Sequence, residues 1–404
     1  MTADMNMNMN LSHIFASVVH KELVPVDLPD GSNQHEINGN VSLKDFFGTD
    51  QKLTGKVSWH YFADDQEPLS DFGDFSFYDA RAKSSQRTGR SEWRFYYYGD
   101  FLTCARPGDV LVLAKADTGK FYGIVFQRGS SWLRSARVLF GFGKTEKEYD
   151  LIPHATLEKQ AIELSRQQII NELDLDIVLP IRKSDEDLVV EKFGAIFPKT
   201  VIMSAFARSQ IEVDISNGDD ALTSWLQREE ELFRALEKVQ IEKKLKEGFH
   251  SVDEFISYSL SIQNRRKSRM GQALQNQLGT LFSSRGLKFT AQAHTEGRNK
   301  PDFIFPGEEE YHAASFSASL LIMLGVKSSS KDRWRQILPE ADRIPDKHLC
   351  TLEPGISTAQ TDEMKRQRVT LVLPAKLHPT YSPEQLREIL TVNDFIEVVR
   401  RKQS

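Results

Sequence analysis

The sequence predicts a multidomain protein, a mainly β first half followed by an α/β second half. Three observations predict it. Runs of β-branched and aromatic residues crowd together between Val57 and Phe142. A polar, charged stretch, Leu179-Pro-Ile-Arg-Lys-Ser-Asp-Glu-Asp187, then divides the chain. Beyond it, helical periodicities alternate with apolar runs, the pattern of an α/β domain. At roughly 150 residues per domain, 404 residues suggest two or three domains. The expected boundaries are a loose, Met/Asn-rich terminus at 1–20, a first domain at 21–178, a linker at 179–189 and a second domain at 190–404.

In the first domain, residues 57–62, 93–98, 109–114, 121–126 and 137–140 read as strands. Asp117-Thr-Gly-Lys120 reads as a hairpin turn between two of them. Short strands this close together suggest a barrel or a sandwich. Residues 156–174 read as helical, with Leu157, Ala161, Leu164, Ile169 and Leu173 at helical spacing.

In the second domain, 219–247 reads as a long helix burying Leu222, Trp225, Leu232, Leu236 and Val239. Residues 271–284 read as another, burying Leu274, Leu278, Leu281 and Phe282. Strands are expected at 288–292, 302–305, 320–327 and 369–373, and a helix at 332–338. The run 320–327 is apolar enough for a central strand buried on both faces.

Composition excludes several classes. With 40% apolar and 27% charged residues the chain is not mostly disordered. Two cysteines, Cys104 and Cys350, exclude a disulfide framework and a four-thiolate zinc site. No apolar run approaches the ~18 residues of a membrane span. The first ten residues lack the features of a signal peptide, so a cytoplasmic protein is expected. His154, His294, His312 and His348 show no metal-ligand spacing, and Gly141-Phe-Gly143 lacks the partners of a phosphate-binding loop.

The net charge is −5, but its distribution points to a polyanion. Between 261 and 300 lie Arg265, Arg266, Lys267, Arg269, Arg285, Lys288, Arg298 and Lys300, opposed only by Glu296. Between 81 and 106, Arg81, Lys83, Arg87, Arg90, Arg94 and Arg106 face only Glu92 and Asp100. Either stretch is also compatible with an ordinary solvated surface.

Pro301-Asp302 opens one expected strand and Val326-Lys327 ends the next. A carboxylate and a lysine on adjacent strands suit metal-dependent phosphodiester hydrolysis. The carboxylate holds Mg²⁺, and the lysine helps position or deprotonate the attacking water. Taken alone, Asp302 is as readily a turn residue at a strand start. The stretch that follows Lys327 adds weight. On a helix, Trp334, Ile337, Leu338 and Ala341 form an apolar stripe, while Arg333, Gln336 and Glu340 share the opposite face. Glu340 is then placed to turn towards Asp302 as a second metal carboxylate. Lys331 and Arg333 suit the guanine O6 and N7 acceptors, and Asp332 suits the cytosine N4 donor. The bland alternative is a charge-paired helix start with Asp332 near its cap.

These residues carry a resemblance. The segments 248–256, Asn264-Arg-Arg-Lys-Ser-Arg269, Thr295-Glu-Gly-Arg-Asn-Lys-Pro-Asp-Phe303 and 326–338 resemble, in order and spacing, the catalytic domain of EcoRII-type restriction endonucleases. The likeness covers about residues 190–404. It implies a PD-(D/E)xK nuclease fold in which the last carboxylate is displaced from the lysine strand onto the following helix. That accounts for Gly325 where a simpler ExK motif has Glu. It implies Asp302 and Glu340 as catalytic metal ligands, Lys327 as the catalytic lysine, and Lys331, Asp332 and Arg333 as readers of G·C pairs. Arg265 and Arg266 are further candidate DNA contacts.

Two departures stand out. The family's glutamate on the helix before the PD strand corresponds to Gln275, which offers an acceptor oxygen without charge. Pro339 precedes Glu340 and threatens the helix expected to aim it. The first half resembles the EcoRII effector domain less closely, through Asp79-Ala-Arg-Ala82 and Arg87-Thr-Gly-Arg-Ser-Glu-Trp-Arg94. It implies a B3-like pseudobarrel binding DNA in the major groove through Arg81, Arg90, Glu92 and Arg94, with Gln127–Trp132 as a weaker second arm. Tyr96 to Tyr98 read as barrel core and rim rather than base-stacking groups.

The expected protein is thus a bacterial type II restriction endonuclease making Mg²⁺-dependent double-strand cuts at a CCWGG-like site. The resemblance implies a homodimer through the catalytic domain, autoinhibition relieved by effector DNA, and a companion cytosine DNA methyltransferase. A sequence-specific DNA-binding protein with an inactivated nuclease domain competes with it, as, less strongly, does a mismatch-repair nuclease.

Overall fold

The computed structural model describes residues 10–29, 35–82, 91–175, 181–329 and 333–404, with Lys267 described by its backbone alone. The described residues form two compact units. One comprises those up to 162 together with those from 169 to 175; the other comprises 163–168 and 181–404.

The first unit is a curled mixed sheet. Its strands are β1 (Phe15–Glu22), β2 (Glu36–Asn38), β3 (Leu53–Phe62), β4 (Leu69–Asp79), β5 (Trp93–Tyr97), β6 (Val110–Ala116), β7 (Phe121–Phe126) and β8 (Asp150–Leu151). Their order is β2-β5-β4-β3-β7-β6-β1-β8. Neighbours are antiparallel except β3 and β7. Strand β6 is apolar from Val110 to Ala114 because both its faces are covered. Val110, Val112 and Ala114 enter one core with Leu133, Ala136 and Leu139. Leu111 and Leu113 enter another with Trp59, Phe75 and Phe95. Gly123 has to lack a side chain, since a Cβ there would meet the Trp59 ring at 2.2 Å. Helix α1 (Val41–Phe47) lends Phe46 and Phe47 to the second core.

Residues 137–140, expected as a strand, are the last turn of helix α2 (Ser131–Phe140). Ser130 caps it through Leu133 N–H at 3.1 Å, and Gly141 ends it at a φ of 75°. Leu133, Ala136 and Phe140 share one buried face, a helical spacing that the short run Arg137–Phe140 conceals. Of the weaker second arm, the same cap buries Ser130, Ser131 and Trp132, while Arg128 is exposed. The helix expected at 156–174 is broken into α3 (His154–Lys159) and α4 (Leu164–Glu172), with Ala161 bridging to Asn10 between them.

In the second unit, α5 (Lys183–Phe193) occupies most of the stretch expected as a linker. Its charges belong to the interior: Asp185 meets Arg228 at 2.8 Å, and Glu186 meets Lys238. Both partners lie on α7 (Gly218–Glu247), which follows α6 (Thr200–Ser209). Helix α8 (Val252–Ser284) begins well before the expected 271. Its Leu274, Leu278, Leu281 and Phe282 press on a sheet of β9 (Thr290–Ala291), β10 (Phe303–Phe305), β11 (Ile322–Lys327), β12 (Lys347–Thr351) and β13 (Val369–Val372). Helices α9 (Glu308–His312), α10 (Thr358–Arg366) and α11 (Val392–Gln403) complete the unit. The strands run in order β13-β12-β11-β10-β9, antiparallel from β9 to β11 and parallel from β11 to β13. Ile322, Leu324 and Val326 face α8, and Met323, Leu349 and Leu371 face the opposite core.

Candidate active site

Asp302 sits immediately before β10, beside the end of β11. The antiparallel register lets Val326 N–H donate to Asp302 Oδ2 at 2.6 Å. Two amides donate to the other oxygen, Oδ1: Gln275 Nε2 from α8 at 2.6 Å, and Gln292 Nε2 from the end of β9 at 2.9 Å. Asp302 is 7% exposed. Burial pushes its carboxyl above the ordinary aspartate value. The Val326 N–H, the Lys327 charge and the two amides oppose that shift by favouring the anion.

Glu340 does not lie on a helix. The expected helix at 332–338 is a 3₁₀ turn, Trp334–Ile337, which leaves Trp334, Ile337 and Ala341 buried as the stripe predicts. The chain then turns, with Ala341 at a φ of 53°. Neighbours fix that turn. Asn299 Nδ2 donates to Pro339 O at 2.7 Å. The buried Lys347 ammonium donates to the carbonyls of Glu340, Ala341 (3.2 Å) and Ile344 (3.1 Å). Glu296 accepts from Tyr311 Oη and from Asp342 N–H at 3.1 Å. Pro339 therefore sits inside a braced turn, where its missing N–H costs nothing.

The braced turn presents Glu340 to Asp302 and Lys327. Burial pushes the Glu340 carboxyl up to about 7; the Lys327 charge opposes this and the Asp302 charge adds to it. The Oε2 atom of Glu340 is buried without a hydrogen-bond partner. Carboxylate oxygens, one of them orphaned, are the donors a hard divalent cation such as Mg²⁺ takes, whereas the two amides here present N–H to Asp302. Among the described residues no group of three or more His, Cys, Asp or Glu that could hold a metal ion converges. Gln275 falls where a third carboxylate is expected and hydrogen-bonds Asp302 instead. Sequence reading missed Gln292, Asn299 and Lys347. Gln292 and Lys347 lie outside the segments that carry the resemblance and Asn299 inside one without a role assigned to it, and each acts at a turn that periodicity does not reveal.

The other candidates are scattered. Lys331 and Asp332 lie outside the described residues; Arg333, just after them, is exposed. The basic stretch on α8 is largely neutralised. Arg266 Nε binds Glu237 at 2.9 and 3.0 Å, and Arg269 is buried against Glu230. Arg265 lies over the Phe197 ring at 4.2 Å. In the first unit Arg90, with Lys83 and Arg87, lies outside the described residues. Glu92 bridges Arg81 at 2.5 Å and Arg94 on β5. Tyr97 is buried, and its hydroxyl donates to Asp27 O at 3.1 Å, while Tyr98 is exposed.

Residues 233–396 match the family model for the EcoRII C terminal. The type II restriction enzyme EcoRII of Escherichia coli is 43% identical over 211 residues, 52% of each chain. The chain thus spans about half the length of this curated relative. Among solved structures, metal-depleted Ecl18kI in complex with uncleaved DNA is similar at a TM-score of 0.45 and 16% identity, over 54% of this chain and 83% of that one. A PspGI restriction endonuclease–substrate DNA complex is similar at 0.40 and 15%, over 55% and 93%. No helix among the described residues is long and apolar enough to cross a membrane. Asp302, Lys327, Glu340, Gln275 and Gln292 all fall inside the segment, residues 233–396, that matches the EcoRII C-terminal family model.

Proposed function

We propose that this protein is a type II restriction endonuclease that hydrolyses both strands of a CCWGG-like DNA site with Mg²⁺. One observation supports the reading: Asp302 and Lys327 stand at the ends of neighbouring strands, and the charges of both act on the Glu340 carboxyl, within the segment that matches the EcoRII C-terminal model, although two strands, a helix and some 40 residues of chain separate Asp302 from Glu340. Asp302 and Glu340 would hold the cation, which supplies Lewis acidity at the phosphate and at the attacking water. Lys327 would orient that water and offset the charge gathering on the phosphate oxygens. The Gln275 and Gln292 amides and the Val326 N–H favour the ionised form of Asp302 against its burial and hold its carboxyl in place.

The finer readings rest on the resemblance. Lys331, Asp332 and Arg333 would read G·C pairs beside the site. The two-fold DNA target calls for a homodimer through the catalytic domain. The curled sheet of the first unit fits a B3-like effector domain at 21–178, whose DNA occupancy would relieve autoinhibition of the 190–404 domain. Its charged edge, with Arg81 and Arg94 around Glu92, supports Glu92 as an organiser of arginines. The DNA complexes of Ecl18kI and PspGI accord with DNA as the partner. A companion cytosine methyltransferase and a bacterial cytoplasmic setting follow from the same reading. The neutral Gln275 favours a second reading, a DNA-binding protein with an inactivated nuclease.

Purified protein incubated with Mg²⁺ and a plasmid carrying several CCWGG sites, beside an Asp302→Ala control, separates the two. Discrete fragments from the wild type alone support the nuclease; site-specific binding without cleavage supports the inactivated protein.

A further inference from the structure

Gln292 holds Asp302 twice. Its N–H donates to Asp302 O at 3.0 Å, and its Nε2 donates to Asp302 Oδ1 at 2.9 Å. It does so from a φ of 53°, a left-handed conformation that residues other than Gly, Asn and Asp seldom adopt. That turn folds the end of β9 back so that an exposed glutamine reaches a buried carboxylate. Gln275 Nε2 reaches the same oxygen from α8. Both amides, with Asp302, line one cleft of about 470 Å³, open to solvent.

A primary amide offers two faces that a half-turn of its last torsion exchanges: an NH₂ donor and a carbonyl acceptor. Beside a bare carboxylate the donor face is preferred; beside a cation, the oxygen. Two oxygens bound at right angles to one Mg²⁺ at ~2.0–2.1 Å lie ~2.9–3.0 Å apart. The 2.9 Å between Gln292 Nε2 and Asp302 Oδ1 has that spacing. A half-turn places Oε1 where Nε2 stands, with no movement of the backbone.

We infer that Gln292 is a further residue of the cation site, its amide donating to Asp302 when no cation is bound and turning over to offer Oε1 when one is. The inference rests on the reading of Asp302 and Glu340 as a cation centre. It gives a two-carboxylate site a neutral third donor without adding a charge to its interior.

Mn²⁺ titration of the full chain without DNA, following the paramagnetic signal of free Mn²⁺, tests it alongside thermal unfolding with and without Mn²⁺. Gln292→Met is expected to weaken Mn²⁺ binding about tenfold or more, the loss typical of a ligand or its direct support. Gln292→Glu sets two carboxylates side by side. It is expected to unfold at a lower temperature than wild type without Mn²⁺, and to recover with Mn²⁺ at an affinity above wild type. Wild-type affinity in both variants, with binding lost in Asp302→Ala, overturns the inference and leaves the site reading standing. Absence of Mn²⁺ binding in the wild type, or wild-type binding in Asp302→Ala, overturns the site reading and the inference with it.

Discussion

A Cβ on Gly325 would lie 2.7 Å from Cγ2 of Ile337, a fully buried β-branched residue. Gly325 is two residues before Lys327 on β11, so its side chain would share the lysine's face of the strand. The contact crowds any side chain at that position, and on the proposed reading the second carboxylate comes instead from Glu340, on the turn that follows Ile337. Gly325→Ala is expected to cost about 1–3 kcal/mol through overpacking, read as a lower unfolding midpoint. Gly325→Glu in a Glu340→Gln background is expected to stay inactive. Wild-type stability in Gly325→Ala contradicts the packing argument.

Lys347 is the main brace of that turn, donating to three carbonyls from a buried position. Lys347→Met leaves those oxygens without their shared donor. A loss of about 2–4 kcal/mol is expected from denaturant unfolding. Cleavage is expected to fall even at temperatures where the variant is fully folded, because Glu340 is no longer aimed.

Arg266 looks like a DNA contact in sequence but is committed to Glu237, which is 3% exposed in its side chain. Arg266→Ala strands that carboxylate. It is expected to cost about 1–2 kcal/mol of stability, discounted for the arginine's own exposure. The salt dependence of DNA binding is expected to stay unchanged. A slope reduced by about one unit would instead make Arg266 a phosphate contact.

His348 on β12 has its proton affinity lowered to about 4, chiefly by burial, and its Nδ1 lacks a hydrogen-bond partner. The unfolded chain therefore binds this proton more readily than the folded one. The histidine's contribution is complete above about pH 6.5 and is lost as pH falls towards 4. It amounts to at most about 3 kcal/mol. His348→Gln is expected to flatten this acid limb in urea unfolding series run across that range.

The α/β second half was legible through the apolar run of β11 and the periodicity of α7 and of the end of α8, whereas β12, which carries Lys347 and His348, has no apolar run to announce it. Asp302 and Lys327 were placed by strand ends, and Glu340 by a motif. The geometry delivering Glu340 was not legible. A 3₁₀ turn followed by a left-handed Ala341 leaves no periodic signal, and of its braces Asn299 lies 40 residues away while Lys347, though near, sits on a strand that its sequence does not announce. Charge counting misled on α8, because partners for Arg266 and Arg269 sit on α7 about 30 to 40 residues earlier. In the first half, Arg137–Phe140 is too short a run to distinguish helix from strand. The capping Ser130 and Gly141 decide it.

The most direct test of a single centre built from Asp302, Lys327 and Glu340 is Mg²⁺-dependent cleavage of a CCWGG duplex by the wild type and by Asp302→Asn, Lys327→Met and Glu340→Gln, each checked for wild-type unfolding and DNA binding. The account predicts cutting by the wild type alone, with every variant slower by at least about a hundredfold, equal to some 2.7 kcal/mol of transition-state stabilisation. Undiminished cutting by a folded Glu340→Gln protein would contradict it.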